Sequence, residues 1–447
     1  MGFGTQIGLK IPWPNNHFDI KMTTTTLRLP AKTTRAQLMV GESANILKRF
    51  YLIQRELVLM QAGWMPNTAH WERKLLLPEF LWQDSLVARE LRQRVLELRY
   101  PERNIDVGQD DVLIRMVRAF RDAPDSLDFV RGLRYALKPK LHEAYQRYLQ
   151  IMDPLDDAPT TRILRQALSD IEEQYTRWDA VLDGAASERA QTLAQAMGDL
   201  LATTAAQSMP DCATQHPPFQ IARYGARDPR FKQVRFYWPD ALDRSFGAGS
   251  GLQLQVRQGV HHLNEVWAAE MAAACIFDLA EEADAEFLFD AARWCFDEIR
   301  HCRMGYTRLG EWGFEMGEMP LGSFQYDAGA RCDALTRLGI IFFFESTYIH
   351  TKPERAKIFG EWGDRVSSHD MDFDWADEQI HTHYGTRWLK YFLELRNDTR
   401  RPVDFRIQAE AAVKAEQMSA TEEDKWDVQF VFSEMMARAT AWAADQL

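Results

Sequence analysis

Two Glu-x-x-His tetrads, Glu298-Ile-Arg-His301 and Glu378-Gln-Ile-His381, stand well apart in this 447-residue chain. On a helix, residues i and i+3 share a face, so each tetrad aims one carboxylate and one imidazole at a common point. The pair restricts the fold. A dinuclear metal recipe needs both tetrads on facing helices of a bundle, and one further Glu from each of two other helices. One tetrad alone carries little, because with 11 His in the chain a Glu meets a His three positions later about once in forty by chance. The weight falls on whether the two missing carboxylates lie in phase.

The surrounding pattern is helical. Apolar residues recur at three- and four-residue spacing over 43–62 and 78–99, and further helices are expected at 110–122, 128–152, 160–182 and 185–208. A second set is expected at 252–281, 284–312, 328–351, 364–396 (with a break near 371) and 403–446. Between the two sets, Pro210, Pro217, Pro218, Pro229 and Pro239, followed by Gly247, Gly249 and Gly251, read as a linker over 209–251. The glycines there lack a preceding strand and a following Lys-Ser/Thr, so they read as a joint rather than a phosphate loop. The expected organisation is all-α: an extended leader over 1–40, a helical bundle over 41–208, the linker, a metal-binding bundle over 252–400 and C-terminal helices over 401–447.

Composition narrows the function classes. Net charge is −12 with no block of basic residues, which argues against nucleic acid and anionic membrane surfaces as partners. No apolar run approaches the ~18 residues of a membrane span. The five Cys contain no Cys-x-x-Cys and are odd in number, which fits a reducing compartment, and a cytoplasmic protein is expected.

For the carboxylate of the third helix, Glu345 follows Phe342-Phe343-Phe344, where an isolated ionised acid is costly to bury without a cation. On the first helix two acids compete, Glu270 among small residues and Glu265 five positions earlier, about 140° around the helix. Glu345 and Glu378 are separated by the same interval as Glu265 and Glu298, whereas Glu270 stands five positions closer to Glu298. The longer-looking connection after Glu345 makes the shorter interval natural for the first hairpin, so Glu270 is preferred and Glu265 held in reserve. The expected ligands are Glu270, Glu298, His301, Glu345, Glu378 and His381. Four carboxylates balance two divalent cations, and mixed nitrogen and oxygen donors suit iron or manganese better than calcium.

The chain resembles the ferritin-like di-iron carboxylate superfamily, and within it a bacterial ferritin-like branch. The likeness covers about 259–392 and rests on Asn264-Glu265-Val266-Trp267-Ala268-Ala269-Glu270, Asp297-Glu298-Ile299-Arg300-His301 and Asp377-Glu378-Gln379-Ile380-His381. Tyr384-Gly385-Thr386-Arg387-Trp388, Leu309-Gly310 and Met319-Pro320 extend it. Leu263 stands where that branch is expected to carry a His, and His261 and His262 are out of phase with it. The resemblance implies a ferritin-like four-helix bundle binding two metal ions, usually iron, that activate dioxygen. The first half reads as a degenerate copy. Glu56 precedes Asp84 by the interval that separates Glu270 from Glu298, and Glu143 precedes Glu172 by one position more. Val87 and Tyr175 stand where the imidazoles belong, so no metal is expected there.

The resulting expectation is an oxygenase or oxidase using two iron ions (or iron and manganese), with dioxygen as cosubstrate and a small organic substrate. An external electron donor and a homodimer are compatible with it. The alternatives are a metal-storage protein and a metal-stapled structural or binding protein. Asp297 and Asp377, each next to a tetrad Glu, are expected behind the ligands; Phe342 and Tyr348 are expected at a pocket wall.

Overall fold

The computed structural model describes residues 35, 37–106, 110–202, 209–214 and 216–446. Most of the expected leader lies outside the described residues. The first half comprises α1 (Val40–Asn67), α2 (Trp71–Glu97), α3 (Asp111–Arg121), α4 (Ser126–Gly132), α5 (Lys138–Ile151), α6 (Ala158–Asp179) and α7 (Glu188–Ala202). A π turn at Leu133–Leu137 joins α4 to α5 as one rod. The second half holds α8 (Pro239–Leu242), α9 (Leu252–Asn264), α10 (Val266–Leu279), α11 (Ala285–Glu311), α12 (Phe324–Ala328), α13 (Ala334–Tyr348), α14 (Lys352–Glu361), α15 (Arg365–Leu395), α16 (Pro402–Met418) and α17 (Glu422–Asp445). Two short strands, β1 (Lys232–Gln233) and β2 (Pro320–Leu321), pair in parallel, with Lys232 opposite Pro320. The chain is all-α apart from this one ladder among the described residues. None of its described helices is long and apolar enough to cross a membrane.

In the first half α1, α2, α5 and α6 close into a ring of rods. Phe50 of α1 meets Tyr145 of α5 edge-on at 4.8 Å, and Gln54 Nε2 donates to the Tyr145 hydroxyl at 3.0 Å. At its centre Lys138 Nζ donates to both oxygens of Asp84 at 2.8 Å and to Gln174, and Gln61 Nε2 donates to Asp84 at 2.7 Å. The other acids of the expected degenerate site do not converge. Glu56 turns to Arg118 at 2.9 Å, while Glu143 and Glu172 lie exposed beside Lys140 and His142. An ammonium therefore stands among the buried polar groups of this bundle.

Several helices differ from the sequence pattern: 252–281 divides at Glu265 into α9 and α10, and 403–446 divides into α16 and α17. α2 begins at Trp71 and runs through Pro78, where a helix start was expected. Proline costs a backbone donor there, but Trp71, Lys74, Leu76 and Leu77 are all buried, and that burial outweighs the loss. α15 is unbroken through Met371, whose side chain is fully buried against Phe359 of α14.

The expected linker is instead a packed strap. Phe231, Phe236, Tyr237 and Trp238 lose at least nine-tenths of their surface to the core. Such aromatic burial fixes a segment regardless of its prolines. The strap is also bonded to both halves. Ala226 N–H donates to Pro66 O at 2.9 Å, Trp71 N–H donates to Asp228 at 2.7 Å, and Gln417 of α16 donates to Ala241 O at 2.8 Å. α1 and α2 pack directly on α10 and α11, so one continuous core serves both halves.

Candidate metal centre

Four helical segments bring acids and imidazoles to one buried point: the α9–α10 junction, α11, α13 and α15. Asn264 ends α9 and Val266 starts α10, with Glu265 between them at φ −64°, ψ −2°. There Glu265 N–H reaches back three positions to His262 O at 3.0 Å, a tightened turn. α11 can approach this turn because Gly305 faces it; a Cβ on Gly305 would lie 2.1 Å from Leu263 N and 2.5 Å from Gly259 O.

His301 of α11 places Nδ1 3.2 Å from Glu265 Oε2, 3.7 Å from Glu298 Oε2 and 3.5 Å from Asp374 Oδ1. His381 of α15 places Nδ1 3.0 Å from Glu298 Oε1, 3.6 Å from Glu378 Oε2 and 3.9 Å from Glu345 Oε1. Four overlapping donor groups result: Glu265–Glu298–His301 and Glu298–Glu345–Glu378–His381 have Glu298 in common, and His262–Glu265–Asp374 and His301–Asp374–Glu378 bring in Asp374. Both imidazoles are fully buried, and their Nδ1 atoms, Glu265 Oε2 and Glu378 Oε2 have no hydrogen-bond partner. Buried polar atoms are rarely left so, and several orphans aimed at one point suit a bound cation.

The opposite nitrogens are satisfied. His301 Nε2 donates to Asp377 at 3.2 Å and His381 Nε2 donates to Asp297 at 3.3 Å. Each Asp precedes a tetrad Glu and supports the histidine of the other tetrad. This fixes the tautomer that leaves Nδ1 to bind a metal. Arg300 bridges Asp297 and Asp377, and Arg293 donates to Asp297 at 2.7 Å. Lys352 of α14 donates to Asp374 and, at 2.6 Å, to Glu378. When ionised, the seven carboxylates named here face three fixed cations, Arg293, Arg300 and Lys352. The four remaining negative charges equal those balanced by two divalent ions.

The titration pattern follows from the same crowding. Burial works to raise Glu298, but the His301 and His381 imidazoliums outweigh it and hold the carboxyl at about 2. Burial prevails at Glu378, with Glu298 adding to it, and pushes that carboxyl up to about 7. Burial disfavours both imidazolium ions, yet the acids around them raise His301 and His381 well above the ordinary range. Without metal, protons therefore stand where cations would.

Glu270 is not part of this cluster. Its carboxylate is fully buried on another side of α10, ion-paired with Lys74 of α2 and, at 2.6 Å, with Arg227 of the strap. The two acids do point in different directions, as their spacing requires, but Glu265 is the one that faces the histidines. Phe342 packs against Gly385 rather than lining the cavity beside the cluster, whereas Tyr348 does line it.

The model of the family described as "Protein of unknown function (DUF455)" matches residues 187–424. The chain belongs to the DUF455 family. No curated protein and no solved structure shows a match to it. The segment shared with the DUF455 model contains every residue of the cluster, whereas Lys74, which holds Glu270, lies outside it.

Within that DUF455 segment, Asp374, Trp294 and Lys352 are contributors with no assignment from sequence, and His262, named there only as out of phase, is a fourth. Asp374 lies one turn before Glu378, a spacing that could have marked it. His262 donates to Asp374 at 3.2 Å. Trp294, one turn before Glu298, donates to Glu298 at 3.0 Å and stacks on His381 at 5.4 Å. Lys352 gave no signal, because nothing local to the short helix α14 points to a distant acid.

Proposed function

We propose that the chain is a ferritin-like di-iron protein, an oxygenase or oxidase that uses dioxygen to oxidise a small organic molecule. The observation that carries this reading is the pair of buried histidines, each anchored through Nε2 and presenting an orphaned Nδ1 to shared carboxylates. Bound there, two iron ions would supply the redox chemistry that activates dioxygen. Glu265, Glu298 and His301 would hold one ion, and Glu345, Glu378 and His381, together with Glu298, the other. Iron–manganese loading fits the same donors.

The remaining residues serve that chemistry. Asp297 and Asp377 keep the imidazoles oriented, and Arg293 and Arg300 keep those two acids in place. Trp294 closes one side of the cluster with an indole, excluding water there. A partly open cavity adjoins Glu265, Glu298, Glu345 and Glu378, so a substrate has access to the acids but not to the supporting aspartates. For a hydroxylation, R–H, dioxygen, two electrons from an external donor and two protons give R–OH and water. An oxidase would draw the electrons from the substrate itself.

The test is anaerobic titration of chelator-treated protein with Fe(II), followed by measurement of oxygen uptake. Two ions per chain and uptake that rises with an organic substrate support the reading. Iron accumulating far beyond two per chain indicates storage, and two bound ions without oxygen uptake indicate a structural staple. Well under two ions per chain overturns the dinuclear assignment.

A further inference from the structure

The cavity beside the carboxylate cluster has a volume of about 270 Å³, just below the roughly 300–1,000 Å³ of typical ligand pockets. Four acids of the cluster line it, Glu265, Glu298, Glu345 and Glu378. Cations line it too: Lys352 is paired with Glu378 and Arg244 with Glu410, while Arg257 of α9 and Arg355 of α14 stand near Asp240 of the strap, the acid between Arg257 and His261. Aromatic rings, among them Tyr237, Trp267 and Phe344, line the space as well.

Asp240 is already committed. Arg257 Nε donates to it at 2.6 Å, and His261 Nε2 lies 3.1 Å from its other oxygen. Arg257 is 8% exposed, yet its Nη1 has no hydrogen-bond partner. Arg355 donates from Nη1 to the Gln258 side-chain oxygen at 3.2 Å. Among the described residues no carboxylate pairs with it, so its charge is uncompensated by any ion pair. Burial, and then the like charge of Arg257, lower the Arg355 guanidinium to about 10, still well above neutrality. Two guanidiniums thus line one cavity with donors to spare, and Asp240, the acid beside them, is ion-paired with Arg257 alone of the two. Forked donors of this kind match the planar oxygens of a carboxylate or the oxygens of a phosphate.

We propose that Arg355, with the free Nη1 of Arg257, is the anion-recognition end of the substrate cavity, so that the substrate is a small organic oxyanion with an apolar body. The assignment of this ligand as the substrate rests on the di-metal reading above; the anion site itself does not. The anionic head lies at the arginines and the body extends past the aromatic rings towards Glu298 and Glu345, where oxidation would occur. The four acids repel a second charge, so a ligand anionic at one end alone fits.

The experiment measures dissociation constants on the full chain, metal-free and manganese-loaded. The probes are hexanoate, phenylacetate and 3-phenylpropionate against their primary amides, and phenyl phosphate against phenol. At least one acid is expected to bind ten-fold or more tighter than its neutral partner in the metal-free protein, where no ion can ligate it. Arg355→Met should reduce that preference to under three-fold without lowering Tm, and Arg355→Lys should retain part of it. The larger preference, in the carboxylates or in phenyl phosphate, names the head group. If no acid is favoured over its neutral partner, or if Arg355→Met keeps the full preference, the proposal is overturned. Metal content is counted on the same preparations. Two ions per chain without acid preference removes this inference and leaves the di-metal reading intact; acid preference without bound metal does the reverse.

Discussion

Asp377 adjoins Glu378 in sequence, yet its carboxylate lies 3.2 Å from Nε2 of His301 on another helix. Asp297 does the same for His381, at 3.3 Å. The two tetrads are therefore cross-braced, each supplying the support for the other's imidazole. Asp377→Asn and Asp297→Asn should each weaken metal binding by about 10–100-fold, the usual cost of losing such a partner. Chelator competition with Fe(II) or Mn(II) measures it, and unchanged affinity in both variants would refute the bracing role.

The two acids flanking the α9–α10 junction should part company on mutation. Glu265→Gln removes a carboxylate from the cluster, so the chain should bind fewer than two ions while remaining folded. Glu270→Gln should leave metal stoichiometry unchanged but strand Lys74 and Arg227 as buried charges, costing about 3–5 kcal/mol. Metal analysis beside urea unfolding separates the outcomes; metal loss from Glu270→Gln alone would restore Glu270 as a ligand.

Gly305 should tolerate no side chain. Gly305→Ala puts a methyl group 2.1 Å from the Leu263 backbone nitrogen, which forces α9 and α11 apart. Overpacking of this kind costs about 1–3 kcal/mol or more, and here it also moves Glu265 from His301. A lower Tm accompanied by weaker metal binding is expected, whereas Glu143→Ala, at an exposed ion pair in the first half, should change neither.

Acid should loosen the strap. Burial works to raise Asp228, but Arg230 and the backbone N–H groups of Arg230 and Trp71 outweigh it and hold the carboxyl at about 2. Its folded value is below the ordinary one near 4, so the stabilisation is full above about pH 4 and is lost as pH falls towards 2. Asp228→Asn should lower stability at pH 7, with the gap to the native chain closing across that window. A gap independent of pH between 5 and 2, measured by urea unfolding, would count against this role.

The parts of the site that sequence made legible are those encoded within one helix. Glu298 with His301, and Glu378 with His381, share a face by spacing alone, and Glu345 stood out because three Phe precede it. The first-helix acid was misjudged. The interval repeated from Glu265 to Glu298 and from Glu345 to Glu378 was the better guide, while the apolar setting of Glu270 reflected partners distant in the chain, Lys74 and Arg227. Prolines marked the strap as a linker because they report backbone freedom and not the aromatic burial that overrides it. Lys352 and Arg355 sit on a short helix whose meaning depends on tertiary neighbours. All-α architecture was legible throughout; the fusion of the two halves into one core was not.

Lys138 meets the one acid at the centre of the first bundle, whereas Lys352 meets only two of the seven acids gathered in the second. The Lys138 ammonium, covalently part of the chain, meets Asp84 and Gln174 whenever the helices close, so that half needs no imported ion to neutralise its interior. α1 and α2 then offer α10 and α11 a packing surface whose own interior charge is matched within the chain. Should the second half take up the two ions proposed for it, their loading would be a step separable from the closing of the first half.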